Sequence, residues 1–123
     1  MIKHILLVGL GGGVGSILRY LTSVFLLKHY SSSFPLTTFV VNIFGCLLMG
    51  ILFGLAGRHA FLHGDLKLLL MVGFCGGYTT FSAFSMENIQ LLESGNYFLL
   101  AIYTLASVLL GIAAVWFGSW IVK

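Results

Sequence analysis

The chain has 123 residues, of which 59% are apolar and 7% charged, with a formal net charge of +3. Soluble domains carry about 25% charged residues, so this chain has too few to solvate a surface of its own and belongs in a bilayer. Its basic residues are scattered and form no run or stripe, which leaves nucleic acid without support as a partner.

The chain opens with "MIKHILLVGLGGGVGS", which has the positive start, apolar run and small residues of a signal peptide. The apolar pattern resumes after Arg19 and continues to Leu27, so we read an uncleaved first span from about Ile5 to Leu27. Its glycine run resembles a nucleotide-binding loop but lacks a glycine where Val14 stands and a lysine near Ser16. Helix packing is the better use of those glycines, because small residues let helices approach closely in lipid. Arg19 is the only formal charge in this span and is placed in an entrance vestibule.

After "KHYSSSFP", a second span runs from about Leu36 to Gly57 and carries no formal charge. Within it lies Asn42, whose amide needs partners if buried. An interhelical hydrogen bond is the plain use of that amide; donation to a passing solute is the functional one. "RHAFLHGDLK" then leads to a third span, from about Leu68 to Leu92, with Glu87 near its end and so near a mouth.

The centre of that third span reads "GGYTTFSAF". Gly76 and Gly77 are poor helix formers, and Thr79 and Thr80 are mediocre ones. The cluster predicts a break at mid-depth, where freed carbonyls need a cavity, a protein partner or an ion. Phe81 and Phe84 are three apart and share a helix face. Packing is the common use of such rings; ring edges aimed into a passage would favour an anion without holding it too tightly. Ser82 and Ser85 add hydroxyl donors beside them.

The short "ESGN" leads to a fourth span, from about Tyr97 to Val122, where Tyr103 and Ser107 are four apart on one face. Cys46 and Cys75 both lie in apolar stretches and read as small buried hydrophobes. The expected architecture is an all-α membrane protein, residues 1–123 forming one domain of four transmembrane helices with the third broken. Strand-like alternation is absent. Four spans put both termini on one side, with Lys3, Arg58, Lys67 and Lys123, against Lys28 on the other. The positive-inside rule favours cytoplasmic termini, although so slight a bias is compatible with insertion both ways. Four short helices enclose little volume, so size and small-residue faces point to a dimer.

Three segments carry a family resemblance: "GGGVGSILRY", "TTFVVNIFGCLLMG" and "GFCGGYTTFSAFSME". In order, length and span number the chain resembles the bacterial fluoride channel family, Fluc or CrcB. The resemblance implies a fluoride-specific channel in the inner (plasma) membrane that exports cytoplasmic fluoride passively, not an enzyme. It implies an antiparallel, dual-topology homodimer with a structural sodium ion at its centre, held by backbone carbonyls of Gly76 and Thr79. The pore residues implied are Asn42, Phe81, Ser82, Phe84, Tyr103 and Ser107, with Arg19 in the vestibule. Ala83, Gly111 and Val115 stand where family members carry hydroxyls, and Tyr78 replaces a more apolar residue. The competing reading is a small proton-coupled exporter of four helices. It needs a carboxylate deep in the first span, which has none; Glu87 is the only candidate elsewhere.

Overall fold

A computed structural model describes the whole chain, Met1–Lys123. Four helices are long and apolar enough to cross a membrane. The first, Ile2–His29, has Lys28 and His29 in its last turn, where cations suit the negative end of the helix dipole. A loop follows in which Phe34 N–H donates to Ser32 Oγ at 3.1 Å. Pro35 then caps the second helix, Leu36–Ala56. A short 3-10 turn, Ala60–Leu62, and Gly64 at φ 63° reverse the chain into the third span.

That span is not uniform. It begins as an α-turn at Asp65–Lys67, winds as a π-helix over Leu68–Cys75, and returns to α at Gly76–Tyr78. Thr79 (φ −82°, ψ 160°) and Thr80 (φ −150°, ψ 113°) are extended. A new helix, Phe81–Glu93, starts at once, with Thr80 Oγ1 accepting from Ala83 N–H at 3.2 Å as its cap. The break therefore falls on the threonines, while the glycines expected to cause it remain helical. Gly95, at φ 77°, supplies the left-handed turn before the fourth helix, Tyr97–Ile121.

Glycines decide which helices meet. A Cβ on Gly77 would lie 2.9 Å from Gly12 Cα, and one on Gly11 would lie 3.1 Å from Gly73 Cα. The first helix is thereby seated on the π-wound half of the third. A Cβ on Gly50 would lie 2.8 Å from Val115 Cα, and one on Gly118 would lie 2.9 Å from Ile51 N, which joins the second helix to the fourth. Tyr78 is buried, stacks on Phe74 and shares a 3.1 Å hydrogen bond with Thr22, pinning the first helix just before the break. The tyrosine thus makes a specific tie where the sequence suggested a minor change. Cys46 and Cys75 are free thiols.

Only 16 of 123 residues are buried, so most of the apolar surface must face lipid or another chain. At the polar ends, Lys3 pairs with Asp65, and Arg58 donates to the Val122 carbonyl at 2.7 Å.

Candidate functional site

Extended backbone inside a membrane exposes N–H and C=O groups that water cannot reach. Here the chain satisfies them with side chains. Asn42, nearly two turns into the second helix, acts as a surrogate peptide: its Oδ1 accepts from Thr80 N–H at 2.7 Å and its Nδ2 donates to Thr80 C=O at 3.1 Å. In an unbroken helix Thr80 N–H would bond to Gly76 C=O, so the Asn42 bond releases the Gly76 carbonyl. Arg19 Nη1 donates to Thr79 C=O at 3.3 Å, and Ser16 Oγ donates to Gly77 C=O at 3.4 Å. Ser16 and Arg19 share one face of the first helix, and both reach the break.

A second polar cluster lies one turn further along. Glu87 accepts from Thr38 Oγ1 at 2.7 Å and from Tyr103 O–H at 2.8 Å. Tyr103 is fully buried and Thr38 nearly so. The carboxylate thus fastens the second, third and fourth spans together. Thr38 precedes Asn42 by four residues, so both polar groups face the broken span from the same side.

The phenylalanines flank this cluster. Phe81 and Phe84 have centroids 5.7 Å apart with planes tilted by 44°. Phe84 also packs on Tyr103 at 5.0 Å, whereas Phe81 is 78% exposed. Ser82 Oγ lies 3.3 Å from Thr80 Oγ1. Ser107 Oγ is buried with no hydrogen-bond partner, an unusual state for a hydroxyl. The fourth helix has no continuous hydroxyl row beyond it. Gly111 turns toward Cys46 Sγ, which a Cβ would meet at 3.6 Å, and Val115 packs its backbone on Gly50.

Between the first and second helices and the Phe81–Glu93 helix lies a cavity of about 560 Å³, lined by Ser16, Arg19, Thr80, Ser82 and Glu87 among others. The structure therefore collects Asn42, Arg19, Ser82 and Glu87 around the break and its hollow, with Thr79 beside them. Phe81 is largely exposed, Ser107 is not among the residues lining the hollow, and Gly76 is exposed with open space where a Cβ would stand. Composition gave no hint of Ser16 or Thr38 as partners, although their helical spacing from Arg19 and Asn42 was available.

A hard monovalent cation needs oxygen ligands, and the released Gly76 carbonyl and the Thr79 carbonyl have that chemistry. Two oxygens are too few for one cation, and Thr79 already accepts from Arg19. The donor types fit; the number fits only if a second chain contributes its own pair.

The family described as "CrcB-like protein, Camphor Resistance (CrcB)" matches residues 6–119. A protein of Azobacteroides pseudotrichonymphae named "Fluoride-specific ion channel FluC" is 50% identical over 118 residues, covering 96% of this chain and 94% of that protein. One of Flavobacterium psychrophilum with the same name is 50% identical over 121 residues, covering 98% of each. One of Phocaeicola vulgatus, also so named, is 47% identical over 118 residues, covering 96% of this chain and 97% of its own.

Proposed function

The chain belongs to the CrcB family, and we propose that it is a fluoride-specific ion channel through which cytoplasmic fluoride leaves the cell passively. It is a multi-pass membrane protein, and a channel rather than an enzyme. The observation that carries the reading is likeness over nearly the whole chain to fluoride channels, joined to a mid-membrane break held by Asn42.

Hydrogen fluoride is a weak acid that crosses lipid uncharged and dissociates in a more alkaline interior. The anion is then trapped, and a passive pore is enough to release it. A potential negative inside drives an anion outward by about 2.3 kcal/mol per 100 mV. The residues at the break suit that cargo. An amide nitrogen carries two donors; Asn42 gives one to Thr80 C=O and keeps the other for a solute. Ser82 adds a hydroxyl, Arg19 an attractive field, and the edges of Phe81 and Phe84 a weak positive lining. Weak and repeated contacts of this kind let an ion pass on. Tyr103 is held on Glu87, so it acts by packing under Phe84 and fixing the carboxylate. Ser107 has a free hydroxyl to offer.

The functional unit is a homodimer of two oppositely inserted copies. The 78% exposure of Phe81, the little buried surface of one chain and the slight charge bias between its two sides support this assembly. Two copies bring the Gly76 and Thr79 carbonyls to four, a set suited to a structural sodium ion that tethers the two breaks and is not transported. Expression in a bacterium stripped of its own fluoride exporters tests the function: growth on fluoride returns with this chain. No return of growth, with the protein present in the membrane, contradicts it.

A further inference from the structure

A second hollow, of about 580 Å³, opens beyond the first and is walled by the Ser31–Ser33 loop together with Gln90, Ser94 and Asn96. Ser23, Thr37, Thr38 and Glu87 line both hollows, so they form the junction between the two. The junction is awkward for an anion, since its formal charge is the Glu87 carboxylate. Arg19 lines only the inner hollow, beyond the junction. Each of the three walls comes from a different helix: Ser23 from the first, Thr37 and Thr38 from the second, Glu87 from the third span.

The Thr38 hydroxyl is already committed to Glu87 at 2.7 Å. Thr22, beside Ser23, is engaged with Leu18 C=O and Tyr78. Ser23 and Thr37 donate to no protein atom, although both line the passage. Ser23 follows Arg19 by four residues and Ser16 by seven, so one face of the first helix carries all three polar groups inward. We propose that Ser23 and Thr37 form a binding site at this junction, where their hydroxyls replace the first waters of fluoride and hold it off Glu87 before it reaches Arg19 and Asn42. The two hydroxyls determine specificity by favouring a small, strongly hydrogen-bonding anion. The assignment rests on the channel reading.

A hydrogen bond to an ion contributes enough for about a tenfold change in occupancy. Fluoride efflux from vesicles holding the purified full chain is measured against fluoride concentration for the unaltered protein, Ser23→Ala, Thr37→Val and Ser23→Thr. The expected result is a half-saturating concentration raised about tenfold in Ser23→Ala and in Thr37→Val. The deficit is largest at low fluoride and narrows as fluoride rises, and Ser23→Thr, which keeps the hydroxyl, restores the original curve. Flux from both hydroxyl-less variants with the original concentration dependence overturns this site and leaves the channel standing. Ser23→Thr as impaired as Ser23→Ala also overturns it, since shape rather than a donor would then matter. Vesicles that stay fluoride-tight with the unaltered protein overturn both.

Discussion

Asn42 is the residue on which the break depends. It satisfies the N–H and the C=O of Thr80 with one side chain, as a neighbouring peptide would in a continuous helix. Asn42→Ala leaves both groups unpaired at about 1–3 kcal/mol each, so thermal unfolding in detergent falls well below that of the unaltered protein and flux is lost with it. Phe81 has a different character: it is exposed in the single chain, and the ring it pairs with is Phe84. Phe81→Ile therefore lowers fluoride flux sharply while the proposed dimer survives gel filtration; unchanged flux removes the ring-edge argument. Glu87→Gln keeps an oxygen for one of its two hydroxyl donors and removes the charge. Passive flux persists in that variant, whereas a proton-coupled exporter would lose all transport with its only intramembrane carboxylate. Asn42 was legible in the sequence as an amide needing a partner. Its partner was not, because pairing residues 38 positions apart requires knowing which helices are neighbours. The Thr38–Glu87–Tyr103 cluster was not legible for the same reason.

At the scale of the element, the spans were legible because charge is excluded from long apolar runs, and the break because threonine and glycine collect at mid-span. Its exact place was not, since Gly76 and Gly77 are also what a tight helix crossing requires. The structure puts Gly77 to that use, against Gly12. The π-winding of Leu68–Cys75 left no trace in composition, because a shift in backbone hydrogen-bond register changes no side chain. The crossing of the first helix over this segment predicts a sharp contrast. Gly11→Ala sets a Cβ 2.9 Å from Phe74 N and 3.1 Å from Gly73 Cα, where only backbone could yield. Folded protein recovered from membranes drops severalfold. Gly13→Ala has nothing within 4 Å and leaves the yield of folded chain close to normal.

At the scale of the whole molecule, one chain leaves aromatic rings exposed, a carbonyl released and two hollows unfilled. The proposed dimer would close these deficits together. If sodium bridges the two breaks, purification in a large organic cation lowers dimer stability, and added sodium restores it at millimolar or lower concentration. A dimer indifferent to sodium removes the tether and leaves the pore. The direct measurement of the central claim is fluoride release from vesicles containing the purified protein, with a potassium diffusion potential imposed and no pH difference across the membrane. The account predicts rapid release that follows the potential and is absent from protein-free vesicles; vesicles that retain their fluoride, or release it only when a proton gradient is supplied, contradict it.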